Sequence, residues 1–358
     1  MFYITLFFSM IFFRFSLVGQ ERLKNLAYKV LFWFLFLFSS FRFQVGCDWS
    51  NYLLQYEGYR FAKWTSIIPS FTEPFYIAIL RLVYFFDLSF MWLNVIFSGV
   101  FFYGVNKLAL RQKDPFAFLL FLFPILILNM PMSGIRQGAA IGMMCLGFVA
   151  FMDKKLLSYI FFTFMAIGFH TSALIFLALA PFVHSQFSIK RLFLAVLLSL
   201  PMLFILYQSS IAEIISVRYL DTEYEAAGAV YRLGSLLISS IVFFLFFKNK
   251  IKALFQKEYS ILVLGFLIAV ACFFMIPFSS TIADRFGYYL IPLQAMFFAQ
   301  IPYLKNLRYK FMWTAFPYIL VSVIFMGWVS LSALFDICYD PYLNYITGVP
   351  LIEGIYGN

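Results

Sequence analysis

The chain has 358 residues, 64% of them hydrophobic and only 12% charged. Soluble domains carry about 25% charged and about 45–50% apolar residues, so this composition excludes a soluble fold and predicts an all-α, polytopic membrane protein. The net charge of +10 is dispersed over short loops, as the positive-inside rule requires, and forms no nucleic-acid-binding face.

Apolar runs long enough to cross the roughly 30 Å hydrocarbon core as helices recur along the whole chain. Outer-membrane strands would be about 9–11 residues long and alternate in polarity, and these runs do not. The first run, Met1 to Val18, has no basic leader and reads as a span, not a removable signal. The loop Gln20 to Lys29 carries Arg22, Lys24 and Lys29 and is placed in the cytoplasm. Val30 to Phe43 leads out to a polar, aromatic segment, Gln44 to Thr72. Glu73-Pro74 opens a short helix ending near Asp87, too short to span and interrupted by Arg81, so it reads as interfacial or re-entrant.

Further spans follow at Leu88–Asn106, Phe116–Met132, Ile135–Met152, Leu156–Phe169, Thr171–Val183 and Leu192–Ser209. A second external segment, Ser210 to Arg232, precedes spans at Leu233–Phe247, Tyr259–Ile276, Phe286–Leu304 and Phe311–Leu334. The expectation is one integral domain over residues 1–358, with about twelve spans plus one re-entrant helix. Both termini fall outside, and the loops 44–87 and 210–232 form a substrate-facing cap.

Sorting the 26 basic residues by this topology separates lysine from arginine. The cytoplasmic loops take thirteen Lys and four Arg. The remainder are Lys63 and eight arginines: Arg14, Arg42, Arg60, Arg81, Arg136, Arg218, Arg232 and Arg285. Topology needs only positive charge. Arginine adds a planar fork of donors suited to phosphate, and charge at membrane depth is costly enough to mark a functional site. The competing reading pairs each arginine with an acid such as Asp48, Glu57, Glu73 or Asp284, or lets it snorkel to lipid headgroups.

Two stretches dominate. Ser133-Gly134-Ile135-Arg136-Gln137 opens a helix, whose N-terminal N–H groups favour an anion. Phe169-His170-Thr171-Ser172 breaks the chain between two apolar runs. A neutral imidazole there suits proton abstraction from a sugar hydroxyl or, equally, a structural hydrogen bond. Asp284 is a base or the partner of Arg285, with the partner favoured. Around Arg218 and Arg232, tyrosines and carboxylates alternate, as in a sugar site or an interface belt. Cys145 and Cys272 fall in spans. Cys47 and Cys338 fall on one side, which leaves a disulfide open. No Walker A, GxGxxG, HExxH or nucleophile-elbow pattern is present, so a nucleotide-driven enzyme is not expected.

Five features in order carry a resemblance: Gly46-Cys47-Asp48-Trp49-Ser50-Asn51-Tyr52, Arg136-Gln137, Phe169-His170-Thr171-Ser172, Asp284-Arg285-Phe286 and Tyr339-Asp340-Pro341-Tyr342. From about residue 40 to 345 the chain resembles the EpsG family of bacterial Wzy-type polysaccharide polymerases. The resemblance implies a GT-C-like glycosyltransferase of the bacterial cytoplasmic (inner) membrane, acting at its periplasmic or external face. It would join undecaprenyl-pyrophosphate-linked oligosaccharide repeat units into O-antigen, capsule or exopolysaccharide, with no cofactor and no metal. Its partners would be that lipid-linked oligosaccharide, membrane lipids and a chain-length-determinant protein, and no nucleic acid. The residues expected to carry the chemistry are His170, Arg136 and Asp284. Arg285, Gln137, Arg60, Arg232, Arg218, Asp48, Tyr52 and Arg81 would contact the substrate or its pyrophosphate. The alternatives are a lipid-linked oligosaccharide flippase, an O-antigen ligase and a polysaccharide O-acyltransferase.

Overall fold

A computed structural model of the chain describes residues 1–60, 73–184 and 228–346, without the side chains of Tyr59 and Arg60, and six single positions between 188 and 197. Among the described residues there are fifteen helices and no strand; Arg42 and Asn344 form one isolated antiparallel bridge. In chain order the helices are α1 Phe2–Ser16, α2 Glu21–Ser40, α3 Trp49–Arg60, α4 Pro74–Phe85, α5 Phe90–Ala109, α6 Pro115–Ile127, α7 Ile135–Met152 and α8 Leu156–Phe169. They continue as α9 Thr171–Phe182, α10 Ala229–Leu254, α11 Gln256–Met275, α12 Ser280–Tyr288, α13 Ile291–Gln300, α14 Lys310–Leu331 and α15 Ala333–Tyr339. Four of them, α7, α10, α11 and α14, are long and apolar enough to cross a membrane; α1, α4, α6, α8 and α9 are shorter apolar helices. The span expected at Leu192–Ser209 and most of the segment 210–232 lie outside the described residues.

Helix α7 is the axis of the fold. It is buried along most of its length and packs on α5 and α8. Its small residues explain why. Gly142 rests against the backbone of Val100 and Phe101, and Gly104 on α5 meets Gly142 in return, so any Cβ there would strike main chain. In lipid, van der Waals contact of this kind replaces the hydrophobic effect as the force between helices. A second group forms where α10 packs on α11 and α12, and α13 lies against α6. Many large apolar side chains face outward, among them Phe85, Leu245, Phe246, Phe311 and Val323, which is the surface a helical membrane protein offers to lipid.

Three expectations change. The run Phe286–Leu304 is not one helix: α12 ends at Tyr288, and α13 begins at Ile291. Pro292 lacks the N–H that would bond to the Tyr288 carbonyl, and its ring crowds that carbonyl, which favours the break seen here, with Pro292 in the first turn of α13. Asp284 and Arg285 sit within a helix, not ahead of one, because α12 begins at Ser280. Arg14 does not belong with the arginines remote from the lysine-rich loops. It pairs with fully buried Asp114, which Lys24 also reaches at 3.3 Å. Arg42, fully buried, donates to the carbonyls of Ser39 (2.8 Å) and Val45 (3.0 Å) and to Asn94 Oδ1 (2.9 Å). Both arginines are consumed by structure.

Candidate functional site

The segment after α2 is tied to the segment after α15. Phe43 N–H donates to Leu343 O (2.9 Å), Gly46 N–H to Cys338 O (2.7 Å) and Tyr345 N–H to Phe41 O (2.8 Å). Cys47 and Cys338 form a disulfide with Cα atoms 4.8 Å apart. Gly46 has φ +103°, and a Cβ there would run into the Met132 carbonyl, so only glycine allows this approach to the 132–133 turn. These ties fix Asp48, which accepts from the Ser133 hydroxyl at 3.3 Å and whose own N–H donates back to Ser133 Oγ at 3.3 Å.

One residue joins the two stretches that dominate the sequence. Glu73 stands at the N-cap of α4, yet its side chain makes no capping bond. It turns instead to Arg136, whose Nη1 donates to Oε2 at 2.6 Å, while Oε1 lies 3.7 Å from His170 Nε2. The Arg136 guanidinium also donates through Nε to the Tyr52 hydroxyl (3.4 Å). Its Cζ lies 5.5 Å from the Tyr52 ring and 5.2 Å from the Tyr76 ring, within cation–π range. In the sequence Glu73 reads as a helix start and one of several acids available to arginine, and Tyr76 carries no signal of its own. A glutamate before proline signals a helix terminus; nothing local marks its turn away from the cap.

His170 is the extended residue between α8 and α9. Its Nδ1 accepts from Ser172 N–H at 3.2 Å and lies 2.7 Å from Ser172 Oγ, which in turn is 3.1 Å from the Tyr289 hydroxyl. A backbone N–H can only donate, so the neutral ring carries its proton on Nε2, facing Glu73. Burial, then the guanidiniums of Arg285 and Arg136, holds the imidazole well below its ordinary value, and it is neutral near pH 7.

The partner of Asp284 is Arg232, not Arg285. Arg232 Nε and Nη2 donate to the two Asp284 oxygens at 2.8 and 2.6 Å, and Arg232 Cζ stacks 5.1 Å from the Tyr288 ring. Adjacent residues on a helix point about 100° apart, so Asp284 and Arg285 cannot face each other. Asp284 turns to α10 while Arg285 lines the chamber. Gln137 donates to the Arg285 carbonyl at 2.6 Å and joins α7 to α12.

These groups surround a cavity of about 600 Å³ lined by Asp48, Asn51, Tyr52, Gln55, Ser133, Arg136, Gln137, His170, Asp284, Arg285 and Tyr288, among others. Of the sequence candidates, Asp48, Tyr52, Arg136, Gln137, His170, Asp284 and Arg285 are on its wall, and Arg232 stands behind Asp284. Arg81, in α4, is not in the lining. The Arg60 side chain and Arg218 lie outside the described residues. Lining side chains come from four separate parts of the sequence, so the chamber exists only in the folded chain. It offers guanidiniums for an anion, and carboxylates, amides and tyrosine rings for sugar hydroxyls and faces.

No curated protein and no solved structure matches this chain. The model of the EpsG family matches residues 25–347, and the chain accordingly belongs to the EpsG family, a family of Wzy-like polymerases.

Proposed function

We propose that this membrane protein, a Wzy-like polysaccharide polymerase in general role, is a GT-C-like glycosyltransferase with about twelve spans. It joins undecaprenyl-pyrophosphate-linked oligosaccharide repeat units at the external face of the bacterial cytoplasmic membrane. The observation that carries this reading is the convergence of Arg136, Arg285, His170 and Asp48 on one polar chamber in a chain otherwise built to meet lipid.

The donor glycan is already activated by its diphosphate. The protein must hold that diphosphate, bring up an acceptor hydroxyl and accommodate the charge that develops as the sugar departs. Arg136 suits the first task. Among the described residues its Nη2 bonds to nothing, while Nη1 and Nε are held by Glu73 and Tyr52, so the fork is oriented before substrate arrives. Arg285, on the same wall, is the second phosphate ligand. Preoriented donors of this kind stabilise a developing anion in a site that excludes bulk water, and the reading asks no metal for that charge. His170 turns its Nε2 toward Glu73 Oε1, 3.7 Å away, and so stands beside the Arg136–Glu73 pair as a positioning residue. This role replaces the proton-abstracting one weighed from sequence, because its only lone pair is taken by Ser172. Tyr52, Tyr288 and Gln55 suit the sugar faces and hydroxyls.

The test is a deletion strain complemented with wild type or with His170→Ala. Polymerase activity requires that both the deletion and the variant display single, unextended repeat units on the carrier or its acceptor lipid. Repeat units absent from the outer surface would indicate a flippase, and wild-type ladders from the deletion strain would remove the polymerase reading altogether.

A further inference from the structure

Four groups could receive a proton: His170, Asp284 and Asp48 on the chamber wall, and Glu73 behind it. We infer that Asp48 is the general base that takes the proton of the acceptor hydroxyl. The inference rests on the polymerase reading above and adds to it the identity of the base.

The other three are committed. His170 spends its Nδ1 lone pair on Ser172 and directs the protonated Nε2 to Glu73. Glu73 holds Arg136 with Oε2 at 2.6 Å and faces His170 with Oε1. Asp284 gives both oxygens to the Arg232 fork at 2.8 and 2.6 Å. A carboxylate gripped by guanidinium is stabilised as the anion and is a poor proton acceptor. Asp48 differs. Its one side-chain partner among the described residues is the neutral Ser133 hydroxyl, at 3.3 Å on Oδ2. No cationic side chain pairs with it there, and Oδ1 has no partner and is not among the buried unsatisfied atoms. It lines the chamber together with Arg136 and Arg285.

Its position is also held firmly. The preceding residue is disulfide-bonded to Cys338, and Gly46 is hydrogen-bonded to the Cys338 carbonyl at 2.7 Å. A base must stand within hydrogen-bond reach of its proton, and a crosslinked segment keeps it there without help from substrate.

The acceptor hydroxyl oxygen forms a bond to the donor's anomeric carbon. The bond from that carbon to the diphosphate oxygen breaks, its electron pair leaving with the lipid diphosphate. The hydroxyl proton passes to Asp48 Oδ1 and is later lost to water.

The experiment uses full-length protein reconstituted in liposomes, with purified lipid-linked repeat unit as donor and acceptor. Wild type, Asp48→Asn and Asp48→Glu are compared for kcat, KM and the pH dependence of kcat, with formation of the Cys47–Cys338 disulfide as the check on folding. Loss of a general base lowers kcat about 10²- to 10⁴-fold; Asp48→Asn is expected in that range with KM little changed, and Asp48→Glu retains part of the rate with a displaced acidic limb. An Asn variant within about tenfold of wild-type kcat, below that range, overturns the assignment, as does a loss confined to KM. Should the Asn variant fail to form its disulfide, the Glu variant decides: an acidic limb unmoved from wild type refutes Asp48. A wild-type protein that makes no polymer refutes the polymerase reading itself, a result distinct from a failure of Asp48 alone.

Discussion

Replacing Arg136 by lysine keeps the charge and removes the fork. In the native site the guanidinium does three things at once. Nη1 donates to Glu73 at 2.6 Å, Nε donates to Tyr52 at 3.4 Å, and Cζ lies beside the Tyr52 and Tyr76 rings, 5.5 and 5.2 Å from their centroids. Nη2 remains for substrate. A lysine ammonium is a single point, and the buried carboxylate of Glu73 captures it. The diphosphate then loses one charge-assisted hydrogen bond, worth about 1.5–3 kcal/mol. Each 1.36 kcal/mol is tenfold in rate, so kcat/KM should fall about 10- to 150-fold. Arg136→Ala is the less clean experiment. It strands Glu73, whose side chain is only 9% exposed, and breaking a buried pair costs roughly 3–5 kcal/mol. The lower end applies here, because Arg136 itself is 30% exposed. Adding Glu73→Gln to the alanine variant should restore protein level without restoring activity. The assay is polymer length and rate from membranes matched for protein amount. Wild-type ladders from Arg136→Lys would refute diphosphate binding through Nη2 at this position.

Two further outcomes follow. The Cys47–Cys338 disulfide leaves only Cys145 and Cys272 free and buried, so denatured wild type alkylated without reductant should gain two labels, and four after reduction; Cys47→Ser should lose polymer yield because Asp48 is no longer held against Ser133. His170 sets a pH dependence. Its folded value is depressed, so between that value and the unfolded value of about 6.5 the unfolded chain binds more protons, and stability falls as pH drops below about 6.5. Thermal unfolding in detergent should show this acid loss in wild type and a flatter profile in His170→Gln; parallel profiles would mean that the imidazole is not held neutral.

Much of the site was legible because its chemistry sits in local punctuation. Arg136-Gln137 at a helix start and His170 at a break between apolar runs are visible in one reading, as is the enrichment of arginine away from the lysine-rich loops. What the sequence concealed were partnerships over distance. Glu73 and Arg136 are 63 residues apart, Asp284 and Arg232 are 52 apart, and no local pattern records either pair. Arg42 and Arg14 look like Arg136 in sequence but are absorbed by backbone carbonyls and by Asp114. Hydropathy found the apolar helices but not their ends. It missed that α2 starts at Glu21, within the basic loop, and that α10 carries its helical course to Leu254 through a π-helical stretch at Phe243–Phe247. It also read through Pro292, where the loss of one N–H accompanies the split of a presumed span into α12 and α13.

The central claim is that a lipid-borne diphosphate docks in the chamber between Arg136 and Arg285. A cryo-electron microscopy structure of the protein in nanodiscs, with undecaprenyl-pyrophosphate-linked repeat unit, tests it most directly. The account expects the two phosphates inside the chamber, within hydrogen-bond distance of the Arg136 and Arg285 guanidiniums, with a sugar of the glycan toward Asp48. Phosphates bound instead among the lysines of the basic loops, with an empty chamber, would contradict it.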